Sequence, residues 1–427
     1  MTESFLHYIW QFQYFSKNGL QTTEGEPIEI LHPGIRNTDA GPDFSQARIK
    51  IGNLEWRGSV EIHIRSSGWL EHHHHHDAAY EPVVLHVVWE HDKPIYRADG
   101  TALPALELKQ RTDEAIWKRY RQLFTTPQSI ACSASLPAVD GLIKVSAQEV
   151  MMAERLEKKA AAFTELLASC RESWDEAVYR LMGRNFGFKV NAEPFARLTH
   201  VVPLKILLRH ADNILQLEGL LLGMAGMLDA VKTSRDNYVK LLQREFRLLA
   251  HKYKLTEKKM HLAQWRFMRL RPANFPTLRI AQFAALISTQ PNLLALILET
   301  DNLNELRNRL TVKQSAYWTR HYHFGKTVSR APAPGRQSIN SVIINTVIPV
   351  LAAYARAHDE QRYMDRALFF LQHLPAEKNS IVEQWKQTGW PAQSAFDSQS
   401  LLELYQHYCQ KRRCLECRIG ASLIRPR

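Results

Sequence analysis

The chain has 427 residues, of which 45% are hydrophobic and 23% charged, and its formal net charge is +12. This composition excludes an intrinsically disordered chain, and the length is sufficient for two or three domains that each have a core. The excess of positive charge favours a polyanionic partner, and nucleic acid is the first candidate.

No segment predicts export or membrane insertion. Residues 1–15 lack the basic region and the small-residue cleavage site of a signal peptide. The most apolar windows, residues 214–228 and 341–354, are shorter than the ~20 apolar residues that a membrane span needs. We therefore expect a cytoplasmic protein, in which the five cysteines do not form disulfides.

The first 110 residues combine helix and strand patterns in the order α, β, β, β, α, β. Gly52-Asn53 is a tight turn that predicts a β-hairpin between residues 47–51 and 54–64. The β-branched run at 83–89 predicts a buried central strand. The remaining predicted elements are a helix within 3–15, strands at 27–32 and 103–108, and a loop with a short helix at 66–80.

The pattern becomes almost entirely helical after a stretch rich in Ser, Pro and Ala at 125–141. We therefore predict an α/β domain at 1–120, a linker at 121–145, a helical domain at 146–400 and a Cys-rich tail at 401–427. Helices are predicted near residues 146–169, 174–182, 204–216, 235–253, 278–287, 293–299, 341–357 and 364–373.

Two acids and a histidine form the first candidate site. Glu61 and His63 are two residues apart on a predicted strand and therefore face the same side. Asp43, at the start of the partner strand, would meet them there. Two carboxylates and a base on one sheet face are suited to binding Mg²⁺ or Mn²⁺ and activating a water for attack on a phosphodiester.

Five consecutive histidines follow at 72–76. On a helix, His72 and His76 would lie one turn apart and could share a metal ion. The alternative is a solvated tract. His86, inside the predicted central strand, is interpreted as a core histidine.

The C-terminal tail carries a second candidate metal site. His407, Cys409, Cys414 and Cys417 supply four ligands at short range, as a structural Zn²⁺ site does. The alternatives are an iron–sulfur cluster, with Cys132 or Cys170 as the fourth ligand, and ordinary reduced cysteines.

A basic aromatic segment spans residues 265–283. Arg266 and Arg269 would share a helical face, and a predicted helix follows a turn at Asn274-Phe275-Pro276. The candidate phosphate-binding residues are Arg266, Arg269, Arg271 and Arg279. The alternative is that they pair with acids on neighbouring helices, and we expect Trp265, Phe267 and Phe275 to lie in the core.

Pro42-Asp43 and Glu61-Ile62-His63 resemble the motif of PD-(D/E)xK nucleases, with His63 in place of the family's lysine. Pro42-Asp43-Phe44, His63, Trp69 and the histidine tract resemble very-short-patch repair endonucleases. The resemblance implies a restriction-endonuclease-like αβββαβ domain in which Asp43 and Glu61 bind the metal and His63 orients or deprotonates the water. Glu29 or Glu26 would supply an additional acid.

The whole chain resembles a bacterial family of unknown function, DUF2851. The segments that carry this resemblance are residues 40–44, 56–63, 85–88, 185–188, 269–276 and 414–420. The leading hypothesis is a Mg²⁺- or Mn²⁺-dependent nuclease acting on DNA, in repair or defence. The alternatives are a non-catalytic nucleic-acid-binding protein on a degenerate nuclease fold and a helical protein-interaction scaffold.

Overall fold

The computed structural model describes residues 1–37, 39–97, 99–231 and 236–426. The chain forms two compact units. The first comprises Met1–Val150, Glu383–Pro391 and Leu401–Arg427, and the second comprises Met151–Val382 and Ala392–Ser400. A mixed α/β protein with an N-terminal sheet and a helical C-terminal region is therefore confirmed. The predicted separate tail belongs to the first unit, because its last helix packs on that unit's core.

The first unit contains a six-stranded sheet. Its strands are β1 Ile28–His32, β2 Ile35–Arg36, β3 Phe44–Ile51, β4 Leu54–Arg65, β5 Val83–Glu90 and β6 Ala105–Glu107. They lie in the order β1-β3-β4-β5-β6, with β2 paired to β3. The β3–β4 pair is antiparallel and confirms the predicted hairpin, with Gly52 in a left-handed conformation at the turn (φ 59°). Strands β4, β5 and β6 run parallel.

Helices from both ends of the chain pack on this sheet. Phe5, Ile9 and Trp10 of α1 are buried in the same core as the β5 residues Leu85 and Val87. The burial of every residue from Val83 to Val88 confirms the central strand. The helices that lie wholly within this unit are α1 Glu3–Phe12, α2 Gly68–Glu71, α3 Glu114–Thr125 and α18 Arg418–Ile424.

The remaining helices are α4 Gly141–Ser169, α5 Trp174–Phe186, α6 Phe188–Val201, α7 Leu204–Leu208, α8 Ile214–Met224, α9 Asn237–Lys252, α10 Pro276–Thr289, α11 Leu293–Glu299, α12 Leu303–Leu310, α13 Arg336–Val342, α14 Ile348–His358, α15 Gln361–His373, α16 Ser380–Gln387 and α17 Ala395–Leu404. The prediction of a single helix at 204–216 is wrong, because α7 ends at Leu208 and α8 begins at Ile214. Asn213 accepts a hydrogen bond from the Gln216 N–H and thereby begins a new helix. The second unit is also not purely helical, since His321–His323 (β7) and Lys326–Thr327 (β8) form a small hairpin.

Residues Arg336–His358 form one continuous helical stretch through a π-helical turn at Ile343–Val347. This stretch has the length and hydropathy of a membrane span, contrary to the expectation from its sequence. However, 78% of its most apolar window is buried inside the protein. Such burial is typical of a core helix.

Candidate metal and carboxylate site

The two predicted acids meet where β3 begins beside β4. Asp43 directly precedes β3, whose first residue, Phe44, pairs with Val60. The Asp43 N–H donates to Glu61 Oε2 at 3.0 Å, and the Ile62 N–H donates to Asp43 Oδ2 at 3.0 Å. Each carboxylate is therefore fixed by a backbone N–H of the other strand segment, and one oxygen of Glu61 remains for other partners.

His63 and Glu61 lie on one face of β4, as their spacing predicts, while Val60 and Ile62 are buried in the core on the other face. His63 Nε2 lies 3.8 Å from Glu61 Oε1. Parallel pairing places His86 of β5 opposite Glu61, and His86 Nε2 is 2.9 Å from His63 Nδ1. The His63 ring is thus held from behind by a second, fully buried histidine.

The histidine tract is not the helix on which His72 and His76 could share a metal ion. Helix α2 ends at Glu71, His73 adopts a left-handed conformation (φ 60°), and His74–His76 form a 3₁₀ turn. Because the chain reverses at His73, the side chains before and after it both reach His63. The ring centroids of His72 and His74 lie 5.0 and 5.3 Å from that of His63. The predicted pairing of His72 with His76 is therefore replaced by a cluster of His63, His72 and His74.

One ligand atom from each of these three histidines lies within 4.8 Å of the other two. The separations around them fit a coordination shell: 3.1 Å from His63 Nε2 to His72 Nδ1 and 3.4 Å from His74 Nε2 to Glu61 Oε1. Metal bonds of about 2.0–2.1 Å place neighbouring ligand atoms about 3.0–3.4 Å apart, for octahedral and tetrahedral ions respectively. Three imidazoles can therefore face a single ion, and Glu61 Oε1 lies beside the nitrogens of His63 and His74.

The buried nitrogens support this assignment. Within the described part of the chain, His74 Nε2 is buried and has no hydrogen-bond partner. An unpartnered buried nitrogen is unfavourable unless another ligand satisfies it. A metal ion would satisfy His74 Nε2 and would also relieve the close approach of the His63 and His72 nitrogens.

Burial keeps the imidazoles of His63 and His74 available as ligands. Burial, followed by the proximity of His86 and His74, lowers the pKa of His63 to about 3. Burial also lowers the pKa of His74. A neutral imidazole retains the lone pair that a metal requires. In the opposite direction, burial and then Asp43 raise the pKa of Glu61 to about 8.

Gly68 is required where α2 passes the His63 ring. A Cβ at this position would lie 2.7 Å from His63 Cδ2, closer than side chains pack. We expect Gly68→Ala to displace the ring and weaken metal binding by about 10-fold or more, the scale of changes around a metal ligand. Titration of a metal into the chelator-washed protein measures this effect. Gly141→Ala is the matched control, since its Cβ would meet no atom within 4 Å, and equal affinities of the two variants would contradict the assigned geometry.

Glu29 and Glu26, which were predicted to supply an additional acid, lie away from the histidine cluster. Glu29 is exposed on β1, where it pairs with Lys50, and Glu26 is exposed before that strand. Neither has a contact with the histidine cluster in the described structure. Instead, the neighbour of Asp43 is His7 of α1, whose Nε2 lies 3.1 Å from Asp43 Oδ2.

Two site residues were missed in the sequence. His7 is on the polar side of an otherwise apolar helix, and only the packing of α1 on the sheet brings it to Asp43. His86 was interpreted as a core histidine. It is buried, but its register opposite Glu61 places it in the site, and register was the signal that could have identified it.

The sequence profile of a family described as "Protein of unknown function (DUF2851)" matches residues 3–380. The chain belongs to the DUF2851 family. No curated protein and no solved structure is significantly similar to it. The matched range of this DUF2851 protein includes Asp43, Glu61 and all the histidines of the cluster, and it ends before the C-terminal cysteines.

The basic segment of this DUF2851 chain is only partly available for a ligand. Arg266, Arg269 and Arg271 are exposed, but they lie in an irregular segment, so Arg266 and Arg269 do not share a helical face as predicted. Trp265 is buried as expected and donates to the Ala225 carbonyl. Phe267 and Phe275 are partly buried, and Phe267 packs against the core cluster.

Arg279 cannot contact a phosphate as predicted, because it is only 4% exposed inside α10. Its guanidinium donates to Gln282, Asn274 and Ser338, and burial lowers its pKa to about 10. The residue therefore ties together segments of the second unit.

The tail is an ordered part of the first unit. His407 Nε2 lies 3.6 Å from Glu403 Oε1. All five cysteines are free thiols. The three cysteines of the tail are buried or half-buried.

Proposed function

We propose that this protein is a metal-dependent nuclease that hydrolyses phosphodiester bonds, with DNA as the preferred substrate over RNA. One observation carries the proposal. Three imidazoles converge within 4.8 Å beside two carboxylates that are each hydrogen-bonded to the other's strand segment. Ligands and acids on one face of a rigid sheet are the arrangement that metal-assisted hydrolysis requires.

The strand arrangement supports the phosphodiesterase assignment. Asp43 begins one strand, Glu61 and His63 lie on its antiparallel neighbour, and that neighbour continues through a crossover into a parallel strand. This order is the one that the resemblance to PD-(D/E)xK nucleases implies. The same resemblance assigned His63 to the position of a lysine that orients water. Because Nδ1 of His63 contacts His86 and Nε2 faces His72, His63 is better suited to binding the metal than to orienting a water.

The ligand set changes the proposed cofactor. Asp43 and Glu61 alone favour Mg²⁺ or Mn²⁺, which prefer oxygen ligands. Three imidazoles favour a transition-metal ion such as Zn²⁺. We therefore propose a site for Zn²⁺ or Mn²⁺ formed by His63, His72 and His74, with Glu61 Oε1 adjacent to it.

Each protein group has a definable role. A bound ion of this kind lowers the pKa of water and polarises a phosphoryl oxygen. In the metal-free protein the pKa of Glu61 is raised to about 8. A cation bound beside Glu61 would favour its carboxylate form, which could accept a proton from the attacking water. Asp43 holds the Ile62 N–H and His7 in place. His86 fixes the orientation of the His63 ring through its 2.9 Å contact with Nδ1, so that Nε2 faces His72.

Charge supports a polyanionic substrate. The net charge is +12, and Arg266, Arg269 and Arg271 offer three exposed guanidinium groups in one short segment. Such groups would hold the phosphate backbone and make binding dependent on salt concentration. Arg279 has no part in this role.

The test is cleavage of labelled single- and double-stranded DNA and RNA by chelator-washed protein with Zn²⁺, Mn²⁺ or Mg²⁺. We expect cleavage that requires Zn²⁺ or Mn²⁺ and that is lost in Asp43→Asn. Salt-dependent DNA binding without cleavage would favour the non-catalytic binding protein. Absence of both would favour the interaction scaffold, and activity that survives Asp43→Asn would contradict the assigned site.

A further inference from the structure

Four of the five cysteines gather in the first unit, although they come from two distant parts of the chain. Cys409, Cys414 and Cys417 lie in the tail, and Cys132 lies in the segment that follows α3. Cys170, the fifth, belongs to the second unit. We propose that Cys132, Cys409, Cys414 and Cys417 bind an iron–sulfur cluster.

Direct contacts hold the two segments together. The Arg412 guanidinium donates to the carbonyls of Thr126 and Gln128, at 2.8 and 3.0 Å, in the segment that leads to Cys132. Cys132 and Leu415 pack against the same hydrophobic core. Ordered contacts therefore hold the tail, with its three cysteines, beside the segment that leads to Cys132.

The tail itself is well fixed. The Tyr8 hydroxyl donates to the Ala421 carbonyl at 3.0 Å, and Arg119 donates to the Ile424 carbonyl at 3.2 Å. A Cβ at Gly420 would lie 2.1 Å from the Cys414 carbonyl oxygen, so only glycine lets α18 pack on this turn. These contacts exclude a frayed terminus and give the thiols a defined position.

The thiols are near enough to influence one another. Burial, then Cys417 and Cys414, raises the pKa of Cys132 to about 12. The pKa of Cys409 is raised by burial and then by Cys417, Cys132 and Cys414. The Arg412 hydrogen bonds and the shared packing of Cys132 and Leu415 bring this segment to the tail, so we assign Cys132 as the fourth ligand. His407, the fourth ligand of the predicted zinc site, contacts Glu403 instead.

The spacing of the sulfurs favours a cluster over a single ion. Tetrahedral zinc with bonds of about 2.3 Å holds its sulfur ligands about 3.8 Å apart. Among the described residues, the three ligand atoms that lie within 4.8 Å of one another belong to His63, His72 and His74, and no three sulfurs meet that condition. A cluster with several iron atoms between its ligands accommodates wider spacing, and four cysteines are its usual ligand set.

Local polarity suits a cluster with anionic ligands. Arg412 lies near Cys409 and Cys414 and lowers the pKa of both thiols, in opposition to burial. A guanidinium beside the sulfurs stabilises the negative charge of such a cluster. The cluster would join the residues after α3 to the tail.

The test is the iron, acid-labile sulfide and zinc content of the full chain purified without oxygen, together with its visible absorption and electron paramagnetic resonance after reduction. We expect about four iron and four sulfide per chain and a broad absorption band, as for a cluster with four thiolate ligands. Cys132→Ser should lose most of the iron and sulfide, and Cys170→Ser should retain both.

Zinc without sulfide in the wild-type protein would overturn the proposal, as would a wild type without metal after anaerobic reconstitution with iron and sulfide. Retention of the full cluster by Cys132→Ser would overturn the assignment of the fourth ligand. The wild-type measurement is decisive even where the Cys132→Ser variant does not fold. The outcome is independent of the nuclease proposal, which concerns the histidine cluster.

Discussion

Replacing His72 by alanine is expected to lower metal affinity and metal-dependent cleavage by at least about 100-fold, because loss of a direct ligand costs no less than loss of the groups behind it. His72 is exposed except for its contact with His63, so the substitution should leave folding intact. His74→Ala should have the same effect on metal binding. It also removes a ring stacked on Tyr80, with centroids 3.8 Å apart, and should therefore cost some stability.

His76→Ala is the matched control for this prediction. It removes an exposed imidazole from the same tract, but His76 is not one of the three clustered residues. Calorimetric titration of Zn²⁺ and Mn²⁺ into each chelator-washed variant provides the measurement. If His72→Ala and His76→Ala lose affinity equally, the exposed histidine tract binds metal without a defined ligand set, and the assigned centre is wrong.

The second large effect is expected from Glu61→Gln, which should reduce cleavage about 100-fold or more, the usual contribution of a general base. The same substitution should stabilise the metal-free protein at alkaline pH. The pKa of Glu61 is raised from 4.5 to about 8, so the folded state retains a proton that the unfolded state loses between these values. Wild-type stability therefore falls as pH rises through this window, whereas glutamine has no proton to lose.

Urea unfolding of both proteins in the presence of chelator, at pH 5.5 and pH 8.5, measures the stability difference. The variant should gain about 3 kcal/mol relative to wild type between the two pH values, since roughly 2.5 pH units separate pH 5.5 from the pKa of about 8 and each corresponds to about 1.4 kcal/mol. Glu71→Gln, on the exposed end of α2, is the control and should show no such change. A Glu61→Gln variant that loses stability with rising pH as the wild type does would contradict the buried, protonated carboxyl.

The local parts of this account could be predicted from sequence. The turn at Gly52-Asn53 defines the hairpin, and the two-residue spacing of Glu61 and His63 places them on one face. Hairpin register then brings Asp43 to Glu61. These features depend on neighbours in the chain, for which periodicity and turn chemistry are informative.

The remaining site residues depend on non-local packing. His86 lies in the site because the parallel β4–β5 register places it opposite Glu61. His7 lies there because α1 packs on the sheet and brings it to Asp43. For the histidine tract, a shared metal ion between His72 and His76 was considered on the condition of a helix. Instead a single left-handed residue, His73, reverses the chain and brings His72 and His74 to the cluster. Sequence periodicity does not report such a reversal in a uniform run of one residue type.

Burial accounts for the other differences. Arg279 was grouped with its exposed neighbours because its segment is basic, but it lies on the inner side of α10 among polar side chains. Cys132 was one of two candidates for a distant ligand, and only the fold distinguishes it from Cys170. In both cases the residue type indicated a possible role, and only tertiary structure shows which residues surround the side chain.

The most direct test of the central claim is the rate of DNA cleavage as Zn²⁺ or Mn²⁺ is added stepwise to chelator-washed wild type, His76→Ala and His74→Ala. If the histidine cluster is the catalytic centre, cleavage by wild type and His76→Ala will rise with occupancy of one site and then saturate, and His74→Ala will remain inactive. Cleavage by His74→Ala that follows the wild-type curve would show that the chemistry takes place elsewhere.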